Sequence, residues 1–184
     1  MAKTIAALFE NRTEAYEAVD DLVAHGFAHD DISVMARDDI HSEAHVTADD
    51  SPSGLVQGAG MGAAVGGIGG LVIGLTALTV PGVGPVLAAG PLAVALLGAG
   101  VGATAGGLIG ALTDDLGIPE EHAHYYGEGI RRGGVLVTVA TTDERAEEAA
   151  SVLSLHYPID LSKWAEEWRQ SGWNRFEPHA EPFC

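Results

Sequence analysis

Apolar and polar positions change rhythm several times along this chain. Residues 3–9, Lys-Thr-Ile-Ala-Ala-Leu-Phe, form an almost unbroken apolar run that ends at Glu10, which predicts a central strand. Ala15, Ala18, Val19, Leu22 and Val23 then recur at the 3.6-residue period of a helix. Asn11 or Thr13 can cap that helix, and Gly26 closes it. Residues 31–36 alternate weakly about Ile32 and Val34, so a second strand follows.

The same logic reads the far end. Pro119 with Glu120 and Glu121 opens a helix, and Arg131-Arg132 before Gly133-Gly134 ends it with cations at the negative pole of its dipole. Residues 135–141 make the strongest strand pattern in the chain. Thr142-Asp143-Glu144 can cap a further helix with Ala146, Ala149, Ala150 and Leu153 on its inner face. Pro158 allows only a short edge strand over 156–161. The ends thus spell β-α-β, insertion, β-α-β. That order suits an α+β fold, a ferredoxin-like split βαβ sandwich formed by residues 1–37 and 117–161, with 38–54 as a polar linker.

The insertion has its own pattern. From Leu55 to Thr113 there is no charged side chain, and glycine recurs every fourth position at Gly58, Gly62, Gly66, Gly70 and Gly74, then at Gly98, Gly102, Gly106 and Gly110. Glycine costs a helix about 1 kcal/mol relative to alanine, so a helical stripe of it needs compensation from close backbone approach. Pro81-Gly82-Val83-Gly84-Pro85 interrupts the run. Residues 55–113 are therefore expected to form a glycine-zipper helical hairpin, with arms near 56–79 and 86–113, whose nine glycines are the self-association contacts.

Composition leaves two settings for such a hairpin. Each arm is long enough for a hydrocarbon core of about 30 Å, yet much of its apolar character is glycine and alanine, which add little transfer energy. Membrane lipid around the hairpin and a dry core shared by several copies in a large cytoplasmic oligomer both remain open. A formal charge of −17, from 9 basic and 26 acidic residues, gives no electrostatic footprint for nucleic acid. The single cysteine, Cys184, forms no intramolecular disulfide, and residues 1–10 lack the apolar core of a signal peptide. The soluble parts are expected on the cytoplasmic side, at the inner membrane or free of it.

Candidate chemistry is sparse. His41 and His45, with Asp38, Asp39 and Glu43 nearby, could present two imidazoles to a divalent ion, but a solvated acidic linker explains them better, and no metal site is assigned. His122 and His124, two apart, cannot share a helical face and read as surface groups. The glycine runs lack the Gly-Lys-Ser/Thr ending of a phosphate loop, and no nucleophile-base-acid motif is present, so neither catalytic residues nor a cofactor is expected. Residues 162–184 form an aromatic-rich C-terminal arm in which Trp164, Trp168, Trp173 and Phe176 suit docking on protein, for instance a neighbouring subunit or another partner.

The entry strand and helix, the loop at 81–91, Pro-Gly-Val-Gly-Pro-Val-Leu-Ala-Ala-Gly-Pro, the stretch Gly-Gly-Leu-Ile-Gly-Ala-Leu at 106–112, and above all residues 117–137 resemble bacterial proteins of the general stress protein 17M-like group. The likeness covers most of 3–160 and implies a stress-associated protein without enzymatic activity, with no catalytic residues to carry over. Together these readings describe a structural protein whose copies assemble through the hairpin, in or on the bacterial inner membrane or as a soluble scaffold or particle.

Overall fold

The computed structural model describes residues 2–37, 76–80, 82–98 and 107–177. The two ends fold largely as the pattern implies. β1 (Ala2–Phe9) leads into α1 (Arg12–Ala24), where Asn11 Oδ1 accepts the Glu14 N–H at 2.9 Å and Gly26 turns the chain at φ 83°. β2 (Ile32–Arg37) follows.

The middle departs from the helical hairpin. Residues 76–79 and 86–89, assigned above to its two arms, lie in strands: β3 (Thr76–Val80) and β4 (Gly84–Ala89) form a β-hairpin through Gly82 and Gly84, at φ 80° and 94°. The physical reason is pairing. β4 lies antiparallel to β2, Met35 facing Ala88, so its backbone bonds are satisfied across the sheet rather than along a helix. Gly90, at φ 77°, then brings the chain so close to Ile32 that any side chain there would overlap the Ile32 carbonyl. α2 (Pro91–Gly98) starts at once, and Ser33 Oγ accepts its Leu92 N–H at 3.0 Å. α3 (Gly107–Gly110) runs on into a π-helical turn, Ala111–Asp115. Among the described residues no helix is long and apolar enough to cross a membrane.

α4 (Glu120–Arg131), β5 (Val135–Thr142) and α5 (Ala146–Ser154) match the expected helix, strand and helix. The cap differs: no side chain caps α5, which begins after a turn at Arg145. α6 (Leu161–Gln170) carries the tail, capped by Asp160 Oδ1 on the N–H groups of Ser162 and Lys163.

Among the described residues the sheet has five antiparallel strands in the order β1-β5-β2-β4-β3. The short edge strand expected over 156–161 is absent; that stretch touches β1 through one backbone bond, Ile159 N–H to Leu8 O at 2.7 Å. Pro158 supplies no donor there, and Tyr157 sits at φ 53°, off the extended conformation a strand needs.

Both sheet faces are covered. α1 and α5 pack Val19, Leu22, Val152 and Leu153 on Phe9, Ile32 and Val137. The opposite face, Leu8, Met35 and Leu136, is covered by Leu92, Leu96, Leu112 and Ile130. Residues of α2 and α3, read from sequence as part of a projecting insertion, are thus the second layer of the body. β2 and β5 explain why it is needed: their first five residues are buried whichever way they point, so one layer of helices would leave half of them in water.

Candidate functional site

Four features hold the chain's candidate chemistry. The first is an ion cluster on α4. Glu128 is fully buried and receives Arg131 Nε on Oε2 at 2.9 Å and Arg131 Nη2 on Oε1 at 2.8 Å, a bidentate fork. Arg132 Nε adds a bond to Oε1 at 2.7 Å. Arg37 Nη1 donates to Arg131 O at 2.7 Å, and Arg12 Nη2 to Arg37 O at 2.8 Å, tying β2 and α1 to the end of α4. The cluster satisfies a buried carboxylate, which would otherwise be prohibitively costly there. Sequence reasoning read Arg131 and Arg132 only as a helix end. The spacing Glu128 to Arg131 and Arg132, three and four residues on one helical face, was the available signal.

The second is the aromatic arm, which docks on its own chain. Trp168 is buried, with Trp164 at 5.7 Å and Trp173 at 5.6 Å between ring centres, and Trp173 lies 5.5 Å from Tyr125 of α4. The Arg132 guanidinium sits 4.9 Å over the Trp168 ring, so one side chain links the ion cluster to the arm. Phe176 is buried against Gly127, where a Cβ would come within 3.2 Å of the phenyl ring. The arm therefore has an intramolecular seat on α4, where Tyr125 and Arg132 meet the tryptophans and Gly127 leaves room for Phe176.

The third is the outer edge of β1. A groove of about 290 Å³ runs along it, with Ile5 to Leu8 as floor and Tyr126, Leu153, Ser154 and Pro158 among its walls. Tyr126 Oη donates to Ala6 O at 3.0 Å, and burial pushes the Tyr126 hydroxyl up to about 12.

The fourth is the glycine series. Gly58, Gly62, Gly66, Gly70, Gly74, Gly102 and Gly106 lie outside the described residues, as do His41, His45 and Cys184. Gly98 is the last residue of α2. Gly110 belongs to α3, and among the described residues a Cβ there would meet only Asp114 Oδ2, at 3.8 Å. Among the described residues no group of three or more His, Cys, Asp or Glu could hold a metal ion. Of the two histidines expected at the surface, His122 is exposed, whereas His124 is half-buried with its Nε2 3.8 Å from Glu120.

A family profile described as heat induced stress protein YflT domain matches residues 4–82, from β1 across α1 and β2 to the β3–β4 turn. That match agrees with the resemblance to general stress proteins read from the sequence and points to a stress-associated role. No curated protein and no solved structure matches the chain.

Proposed function

We propose that this is a non-enzymatic, stress-associated structural protein whose copies assemble, with a folded α+β body carrying the glycine-rich residues 55–75 as the contact element. The stress role rests on the match to a heat-induced stress domain over 4–82. The body reads as a ferredoxin-like split βαβ unit, β1-α1-β2 with β5-α5, extended on the β2 side by β3 and β4 in place of a fourth strand beyond β1. One observation favours a cytoplasmic scaffold or particle over a lipid-spanning hairpin. The described residues of the expected second arm belong to the body: β4 pairs with β2, and Leu92, Leu96, Leu108 and Leu112 are buried in its core. Withdrawing them into lipid would cost the sheet a strand and one face its cover.

The test is fractionation of a lysate without detergent, followed by sizing. The expected result is a large species in the supernatant that Gly62→Leu with Gly66→Leu converts to a smaller one, because leucine would hold the backbones apart. Sedimentation with membranes, reversed only by detergent, would establish the lipid setting instead; a wild-type monomer would end the assembly reading.

A further inference from the structure

The aromatic arm reaches its seat through a bend that its own sequence resists. α5 ends at Ser154 and α6 begins at Leu161, so the residues between them, 155–160, turn the chain back onto the body. Tyr157 makes that turn at φ 53°, the only residue other than glycine with a left-handed backbone among those described. Any side chain is strained there, and a residue followed by proline is pushed toward extended backbone by the proline ring. Tyr157 precedes Pro158. Local preference would therefore carry the chain straight on, and the closed fold bends it. Little packing offsets the strain, because Leu155 and Tyr157 stand 65% and 85% exposed on the bend. Its flanks are anchored instead: His156 Nε2 lies 2.8 Å from Asp21 Oδ2 of α1, and Ile159 N–H donates to Leu8 O at 2.7 Å.

We propose that copies of this chain exchange arms: residues 161–177 of one copy occupy the α4 seat of a second copy and receive that copy's arm in return, with Tyr157-Pro158 extended as the hinge. The seat permits it, since Trp173 on Tyr125, Trp168 under Arg132 and Phe176 on Gly127 are the same contacts whichever copy supplies the arm. Charge permits it too. Lys163, Arg169 and Arg175 balance Glu166, Glu167 and Glu177, so the arm is neutral in a chain of net charge −17 and carries no repulsion to its new seat. Strain at the bend decides the outcome. A short linker presents the arm to its own seat at about millimolar effective concentration, and relief of about tenfold at each of the two hinges brings exchange to about ten micromolar. This contact is separate from the glycine-rich one in 55–75, and one chain can use both.

Two forms of the full chain, each with Cys184→Ser, provide the test. One carries Glu121→Cys and the other Arg169→Cys, at positions whose native side chains meet at 3.6 Å across the seat. After the two are warmed together, a flexible bismaleimide should join them into a mixed dimer with a midpoint in the micromolar range, whereas closed copies place that pair only within one chain. Tyr157→Gly, which holds the bend without strain, should raise the midpoint by about tenfold or more. Tyr157→Ala removes the exposed ring but keeps the strain, and should leave the midpoint within about threefold of its value. Gly62→Leu with Gly66→Leu should leave the crosslink in place. A mixture that stays uncrosslinked at millimolar protein, or a midpoint that Tyr157→Gly does not move, overturns the proposal. So does loss of the crosslink in the glycine variant, since the contact would then belong to assembly through 55–75.

Discussion

Glu128 Oε1 accepts a 2.7 Å bond from Arg132 Nε, and the same guanidinium covers Trp168, so a buried carboxylate on α4 and the seat of the C-terminal arm share one side chain. Removing the negative charge leaves Arg131, nearly buried, facing a neutral amide. Glu128→Gln should destabilise the fold by about 3–5 kcal/mol, seen as a lower urea midpoint with an unchanged slope. An effect under about 1 kcal/mol would mean that the cluster is no more than a surface pair.

Truncating the other side of that link separates two effects. Trp168→Ala should lose about 3–5 kcal/mol through the cavity alone and should also free the arm, exposing 161–177 to limited proteolysis before the rest of the chain. Simultaneous cleavage across the whole protein would show that the arm has no stability of its own to lose.

Glycines of this chain divide by what faces them. A side chain at Gly129 would overlap Leu8 Cδ2 in the core between α4 and β1, so Gly129→Ala should cost about 1–3 kcal/mol by overpacking. Among the described residues Gly110→Ala has only Asp114 Oδ2 at 3.8 Å to meet, and it should be neutral or gain up to about 1 kcal/mol of helix propensity. Thermal unfolding of the two variants tests the distinction, and equal shifts would contradict it.

Alkaline stability follows from Tyr126. Its hydroxyl has an ordinary value of 10.0 and is pushed up to about 12 by burial, so unfolding favours ionisation. The contribution is therefore whole below pH 10 and is lost as the pH rises toward 12. Tyr126→Phe should cost about 0.5–1.5 kcal/mol at neutral pH, from the lost bond to Ala6 O, while flattening the decline above pH 10. Urea unfolding at pH 7, 10 and 11 measures both, and a parallel decline in the two proteins would assign the alkaline loss to other groups.

The sequence by itself determined the elements whose periodicity and punctuation agree. β1, α1, β2, α4, β5 and α5 were legible because a strand run or a 3.6-residue stripe is bounded by Asn11, Gly26, Pro119 or Gly133-Gly134, and local chemistry and burial demand the same conformation there. Residues 76–89 carried no such agreement. An uncharged run rich in small residues fits a helix and a buried strand equally, and only the free edge of β2 settled it, by offering β4 a ladder of backbone partners. The tertiary structure likewise decided that α2 and α3 cover a sheet face, that Glu128 is a buried ion rather than a surface acid, and that the tryptophans of the tail seat on α4. Each depends on which surface arrives opposite, and that partner lies 50 or more residues away in several cases, such as Ser33 with Leu92 or Arg37 with Arg131. No local pattern encodes such a meeting.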